Sequence, residues 1–221
     1  LLTLLVAINL AQFRWSPWTV LIGVLATVAL ALAARWARLG PADLGLARSS
    51  APAGLRWGGA FAAAVAVGYG LALLIPAARA AVDGSTPGSW PAVLWSMAVV
   101  IPLGTVLPEE LAFRGVLWGL VRRRSGPRAA TLISSGLFGL WHVTPALGGG
   151  AANAAVTDAV GGGTLGVLVR VAVTVLFTAG AGAVLCLLRA RSDSLVAPLL
   201  AHWSVNALGL LFVQLASEGL A

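Results

Sequence analysis

The sequence contains no lysine, few charged residues and a single cysteine. Only 10% of its 221 residues are charged, whereas soluble domains carry about a quarter. A chain with so little charge does not cover a water-facing surface, which excludes an ordinary soluble domain. The one cysteine, Cys186, excludes an internal disulfide and any metal site that needs several cysteines.

Long apolar runs fill the chain instead. Hydrophobic residues make up 59% of the sequence and the mean hydropathy is +0.95. A helix needs about 20 largely apolar residues to cross a bilayer. Runs close to this length are residues 1–13, 18–34, 57–75, 92–121, 129–147, 164–188 and 195–215. The sequence therefore predicts an all-α, polytopic transmembrane helical bundle of about seven spans, the first of them incomplete.

Arginine is spread unevenly over the loops between these runs. The loops after the second, fourth and sixth runs are rich in it, at residues 35, 38, 48, 56, 122–124, 128, 189 and 191. By the positive-inside rule these loops are cytoplasmic. The net charge of +7 thus predicts orientation and contact with membrane lipid, not nucleic-acid binding. We divide the chain into N-terminal helices with a cytoplasmic linker, residues 1–56, and a membrane core, residues 57–221.

A few polar side chains interrupt the apolar runs. Ionisable groups within a span cost about 2.5 to 3.5 kcal/mol to insert, so they normally mark a functional site. The polar residues concerned are Glu109, Glu110, Arg114, His142, His202 and Asn206. Helix rise places the carboxylates, the imidazoles and the amide on three helices at similar depths, roughly 16 to 22 Å from the nearest Arg-rich loop. We therefore expect the three helices to bring them together.

Spacing within each helix adds orientation. Glu110 and Arg114 are i and i+4, so they share a face and can pair, while Glu109 points about 100° away. His202 and Asn206 also stand four residues apart. An unpaired carboxylate can act as general base on a water, and imidazoles with an amide can hold a metal or stabilise an oxyanion.

Structural interpretations of the same residues compete with this chemistry. Glu110 and Arg114 could form a buried ion pair between helices, and His202 with Asn206 could supply interhelical hydrogen bonds. Phe138, four residues before His142, is interpreted as packing that shields the site.

Two known types of catalytic site within membranes lack their residues here. A rhomboid-type serine site needs glycine where Ile133 stands. An aspartyl site needs two aspartates within spans, whereas all the aspartates fall in predicted loops, at residues 43, 83, 158 and 193.

The polar residues form an ordered set of motifs. Glu109-Glu110-x-x-x-Arg114, Phe138-x-x-x-His142 and His202-x-x-x-Asn206 follow one another on successive apolar helices. This set resembles that of the CPBP intramembrane protease family, the CAAX prenyl endopeptidase and bacteriocin-processing group. The segment DLGL at residues 43–46 is similar to a loop feature that precedes the family's core, which here would cover about residues 90–215.

The resemblance implies an intramembrane endopeptidase. Glu109 would activate the water, with His142, His202 and Asn206 as partners and Glu110, Arg114 and Phe138 in support. It leaves two chemistries open: a metalloprotease with zinc on His142, His202 and Glu109, or a metal-independent glutamate mechanism. The soluble zinc-protease signature HExxH is absent. The implied partner is a peptide or membrane-protein substrate.

Two further functions remain as alternatives. One is a non-catalytic membrane scaffold or bacteriocin self-immunity protein of the same fold. The other is a small transporter or proton relay, which the lack of an internal repeat disfavours. The arginine-only, alanine-rich composition is typical of a high-GC bacterium, so we expect the inner (plasma) membrane of a bacterial cell, with cleavage in its cytoplasmic half.

Overall fold

The computed structural model describes residues 1–14, 18–82, 88–148, 161 and 163–218. Every regular element in these residues is helical. The long helices are α1 (Leu2–Arg14), α2 (Thr19–Trp36), α3 (Ala51–Ala72), α4 (residues 90–125), α5 (residues 127–141), α6 (Thr164–Ser192) and α7 (Val196–Ser217). Short helical turns are Pro41–Leu44, Arg48–Ser50, Pro76–Ala80 and Val143–Leu147. The all-α prediction and its seven helices are confirmed.

The sides of this bundle expose large apolar side chains, whereas Glu109, Glu110, Arg114 and Arg189 are buried inside it. Leu132 is 74% exposed and Phe177 is 75% exposed, whereas Arg114 is fully buried. Length and composition suit four described stretches to crossing a membrane: Thr19–Trp36, Trp90–Leu147, Thr164–Ser192 and Val196–Ser217. α1 is shorter, and α3 dilutes its apolar residues with glycine and an arginine. The protein is a polytopic helical membrane bundle.

The stretch from Trp90 to Leu147 turns back on itself at Gly126. This residue has φ 80°, a left-handed conformation that glycine adopts without steric cost. It ends α4 and lets Pro127 open α5. The Arg-rich loop of the sequence analysis is therefore a tight turn between two antiparallel helices.

α4 is not a regular α-helix. It begins as α-helix at Trp90–Trp95, widens to a π-helix over Ser96–Val106, narrows at Leu107–Glu110 and widens again over Leu111–Leu117. Pro102 lies inside the first wide segment and Pro108 follows it. Proline removes an N–H and its ring clashes with the carbonyl of the preceding turn, so a regular α-helix is disfavoured here. Such π segments often occur at functional sites, and Glu109 and Glu110 lie between two of them.

The N-terminal helices share their core with the helices that carry the motifs. Gly23 of α2 lies against the backbone of Gly104 in α4, so close that a Cβ on either would collide. Leu5 and Ile8 of α1 are buried in the same apolar cluster as Phe113 and Phe138. The division of the chain at residue 56 stays a prediction, but α1 and α2 do bound the site.

Candidate active site

Glu109 is held by one oxygen only. Its Oε1 accepts a hydrogen bond from Trp141 Nε1 at 3.1 Å. Its Oε2 is buried and has no hydrogen-bond partner within the described part of the protein. The side chain is 5% exposed and borders a cavity. Oε1 is thus fixed in position, while Oε2 keeps a vacant lone pair beside the cavity. Oε2 can therefore accept a proton from a water.

Glu110 faces the other way and belongs to a buried ionic network. Arg114 Nη1 donates to Glu110 Oε1 at 2.8 Å, as the i, i+4 spacing predicts. His202 Nδ1 bonds to the same Oε1 at 2.8 Å. Arg114 Nη2 also donates to the carbonyl of Gly182 at 3.2 Å. The network thereby links α4, α6 and α7, and it differs from the sequence interpretation by pairing His202 with the second glutamate and not the first.

These bonds fix the protonation pattern of both imidazoles. His142 Nδ1 lies 2.8 Å from the carbonyl of Phe138, which can only accept, so Nδ1 carries the hydrogen. His202 Nδ1 donates in the same way to the Glu110 carboxylate. In each histidine it is therefore Nε2 that is left to act on a ligand.

Phe138 packs between the two histidines. Its ring lies edge-on to His142 at 4.7 Å and to His202 at 6.0 Å between centroids. The Arg114 guanidinium sits 4.1 Å from the same ring centroid. Phe138 thus packs against both imidazoles and the guanidinium, and its role as a shield stays a prediction.

Two cavities meet at His142. The first, of about 650 Å³, is named here the glutamate chamber, and its lining is Asn9, Gln12, Phe13, Thr19, Thr105, Glu109, Trp141, His142, Pro145 and Gly148. The second, of about 540 Å³, is named the lateral cavity. It brings His142 together with His202 and Asn206, against apolar residues of α3 and α6 such as Phe61 and Phe177. The four predicted catalytic side chains are therefore distributed over two cavities that share His142 as a lining residue.

Prolines near the site leave backbone carbonyls without their usual donors, and side chains from other helices replace them. Pro145 has no N–H for the carbonyl of Trp141, four residues earlier, and Asn9 Nδ2 donates to that carbonyl at 2.9 Å. Thr144 Oγ1 in turn donates to Asn9 Oδ1 at 2.6 Å. This pair joins α1 to the residue that orients Glu109.

The same substitution occurs twice on α4. Pro108 has no N–H for the carbonyl of Gly104, to which Gln12 Nε2 donates at 2.8 Å. Trp203 Nε1 donates at 3.0 Å to the carbonyl of Met97, whose π-helical partner would be Pro102. In a membrane such groups must be satisfied within the protein.

Asn9, Gln12 and Trp141 carry no charge, so ionisable groups in the apolar runs do not point to them. The available signal was a proline four residues after a carbonyl, as at Pro145 and Pro108, because such a carbonyl needs a donor from another helix.

The DLGL segment closes the Arg-rich end of the bundle. The carbonyl of Gly45 accepts from Leu195 N at 2.7 Å, and the carbonyl of Asp43 accepts from Arg189 Nη2 at 3.0 Å. Arg123 Nε donates to the Asp43 carboxylate at 2.9 Å, and this bond holds the pKa of that carboxyl below its ordinary value of 3.8. Arg189, interpreted from the sequence as a loop charge, is in fact fully buried.

The zinc set named from the sequence is not assembled in this arrangement. No three histidine, cysteine, aspartate or glutamate side chains among residues 1–14, 18–82, 88–148, 161 and 163–218 are grouped so as to hold a metal ion. The Nδ1 bonds of His202 to Glu110 and of His142 to a carbonyl leave Nε2 of each ring for a ligand, as is usual for metal-binding histidines. Zinc stays a prediction.

Two aspartates of the rejected aspartyl mechanism, Asp83 and Asp158, lie outside the described residues. Asp43 and Asp193 lie at helix ends, away from the two cavities.

Fold and site together define a polytopic helical membrane protein with two buried glutamates and a buried histidine, His202, near the half-buried His142 and Asn206. The sequence profile of the type II CAAX prenyl endopeptidase Rce1-like family matches residues 90–208, more than half of the chain. The chain belongs to this family of membrane proteases. No curated protein and no solved structure shows a significant match to it.

Proposed function

We propose that the protein hydrolyses peptide bonds within the membrane, with Glu109 as the general base. The observation that carries this proposal is the asymmetry of the Glu109 carboxylate. Oε1 is fixed by the indole of Trp141, while Oε2 has no partner among the described residues and borders the glutamate chamber. A general base of this kind needs one carboxylate oxygen held in position and the other oxygen available to accept a proton, and the Glu109 side chain meets both conditions.

His142 is the second group at the reacting water. It lines both cavities, and its Nδ1 hydrogen is committed to the Phe138 carbonyl. Nε2 of the neutral ring is therefore an acceptor that orients a water between itself and Glu109. The water gives its proton to Glu109, its oxygen bonds to the peptide carbonyl carbon, and the carbonyl oxygen becomes an oxyanion.

His202 and Asn206 are placed to stabilise that oxyanion. Both line the lateral cavity together with His142. The Asn206 amide offers a donor, and His202, held through Nδ1 by the Glu110 carboxylate, offers a second donor from Nε2 when its ring is protonated. Collapse of the intermediate breaks the C–N bond, and the proton held by Glu109 passes to the leaving amine.

The proposed substrate is a peptide or a membrane-protein segment, and the proposed location is a bacterial inner membrane. Apolar side chains form most of the lateral cavity's wall, among them Leu176, Phe177 and Val184. This wall suits an extended peptide segment that arrives from within the bilayer.

The test is peptide cleavage by purified protein in detergent, with a fluorogenic peptide library. Glu109→Gln keeps the shape of the side chain and removes the base, so kcat should fall by about 10²- to 10⁴-fold. Glu218→Gln, at the far end of α7, is the matched control and should cleave at the wild-type rate.

Parallel reactions with a chelator, together with metal analysis of the purified protein, test the zinc prediction. Cleavage that survives chelation in metal-free protein would eliminate zinc. If the wild type cleaves nothing and Glu109→Gln keeps its biological activity in cells, the scaffold or immunity interpretation replaces the protease.

A further inference from the structure

Thr105 lies one helical turn before Glu109 and faces the same cavity. Both residues are on α4, four positions apart, and both line the glutamate chamber together with His142. Side chains at this spacing are neighbours on a helix, with about 5 to 6 Å between their Cβ atoms. A single water can therefore contact the Thr105 hydroxyl and the Glu109 carboxylate at the same time.

The Thr105 hydroxyl makes no hydrogen bond within the described part of the protein. A threonine within a helix commonly donates to the carbonyl four residues earlier. Thr27 and Thr178 do so here, to the carbonyl of Gly23 at 2.8 Å and to that of Thr174 at 2.7 Å. Thr105 departs from this pattern although it is half-buried. Its hydroxyl is therefore available to a group inside the chamber.

Glu109 presents a vacant polar atom to the same space. Its Oε1 is held by Trp141, while its Oε2 is buried and has no hydrogen-bond partner among the described residues. His142 also lines the chamber, and its Nε2 is left for a ligand because Nδ1 is bonded to a carbonyl. Buried polar groups are rarely left without a partner. We therefore expect a bound water beside these side chains.

A water at this point can bond to all the vacant groups at once. It can donate one hydrogen to Glu109 Oε2 and the other to His142 Nε2, and it can accept one from the Thr105 hydroxyl. Buried waters in proteins typically make about three hydrogen bonds.

We propose that Thr105 positions the reacting water by donating a hydrogen bond to the water oxygen. With both hydrogens and one lone pair of the water engaged, the remaining lone pair is the one that attacks the peptide carbonyl carbon. This inference rests on the proposed function, to which it adds a further residue in contact with the reacting water.

Substitution can separate the hydroxyl from the shape of the side chain. Thr105→Val keeps the branched shape and removes the hydroxyl, whereas Thr105→Ser keeps the hydroxyl. Thr27→Val removes a hydroxyl of the same kind from α2, at a residue that does not line the glutamate chamber. It is therefore the matched control.

The measurement is steady-state cleavage of a fluorogenic peptide by each purified full-length variant in detergent, with the free energy of unfolding determined in parallel. We expect Thr105→Val to lower kcat by about 3- to 10-fold, the effect of losing one neutral hydrogen bond in the transition state. KM and stability should not change, because the hydroxyl contacts the water and neither the peptide nor the protein. Thr105→Ser and Thr27→Val should keep the wild-type kcat.

A wild-type kcat in Thr105→Val, or a loss in Thr105→Ser or Thr27→Val as large as in Thr105→Val, would overturn the proposal. So would a fall in kcat that is matched by a fall in stability, since the hydroxyl would then be structural. A change in KM alone would place the hydroxyl against the peptide instead of the water, and it would also overturn the proposal.

Failure of this inference can be told apart from failure of the proposed function. If Glu109→Gln is inactive while Thr105→Val cleaves at the wild-type rate, Glu109 is the base and Thr105 does not act on the water. If the wild type cleaves nothing, or Glu109→Gln cleaves as fast as the wild type, the hydrolytic mechanism is wrong and the role of Thr105 falls with it.

Discussion

Glu109 and Glu110 are adjacent in the chain and have different surroundings, because one residue of helix turns the side chain by about 100°. Glu109 points toward Trp141 and the glutamate chamber, and Glu110 points toward Arg114 and His202. The first is placed for chemistry and the second for holding three helices in position. Stability and catalysis should therefore separate at these two positions.

We predict that Glu110→Gln destabilises the protein and that Glu109→Gln does not. Breaking a buried ion pair leaves Arg114 charged and unpaired, which costs about 3 to 5 kcal/mol. Glu109→Gln keeps an oxygen for the Trp141 indole and strands no partner charge. Free energies of unfolding in detergent check this, and equal losses at both positions would contradict the division of roles.

Pairing within a helix could be predicted from spacing, whereas pairing between helices could not. The i, i+4 rule predicts the Glu110 and Arg114 bond that the structure contains, whereas the common depth that helix rise predicts for the polar residues stays a prediction. Which glutamate meets His202 depends on the rotation of α4 about its axis. That rotation is altered by the π segments on either side of the glutamates, and residue types alone do not reveal it.

At the scale of the helix, α1 completes the site. Its sequence reads as a generic membrane helix, yet Asn9 and Gln12 each satisfy a carbonyl that a proline has deprived of its donor. The irregular α4 and the broken end of α5 thus depend on a helix outside the motif region. Their irregularity in turn places Glu109 and His142 beside the chamber.

We predict that Asn9→Leu lowers stability and slows cleavage. The change leaves the Trp141 carbonyl without its donor, and interhelical hydrogen bonds in membranes contribute about 0.6 kcal/mol on average and up to about 1.7. Release of the Trp141 backbone also loosens the indole that fixes Glu109, so kcat should fall with KM unchanged.

Thr27→Val is the matched control for this variant. Among the described residues, Thr27 Oγ1 has one hydrogen bond, to the carbonyl of Gly23 in its own helix, and Thr27 does not line the glutamate chamber. Loss of the Thr27 hydroxyl should change neither the stability of the protein nor kcat. A response of Asn9→Leu no larger than that of Thr27→Val would remove α1 from the site.

At the scale of the whole molecule, the two ends of the bundle have different tasks. The end with the glutamate chamber is polar inside, and the Arg-rich end is closed by the loop of residues 40–46. That loop is fastened to α4 by Arg123, to α6 by Arg189 and to the start of α7 through Leu195. We infer that this loop holds the helices at the packed end while the site lies nearer the other end.

The ion pair between Asp43 and Arg123, here named the Asp43 clamp, should depend on pH. The hydrogen bond from Arg123 lowers the pKa of Asp43 in the folded protein below its ordinary value of 3.8, so the unfolded chain binds the proton more readily. The clamp therefore stabilises the fold fully above that ordinary value and loses its effect as the pH falls through the lower folded value. Both partners are partly exposed, so we expect a contribution of about 0.2 to 1 kcal/mol.

Thermal unfolding of wild type and Asp43→Asn checks this: their midpoints should differ at neutral pH and converge in acid. A difference that persists below the folded pKa would show that the carboxylate charge is not what fastens the loop.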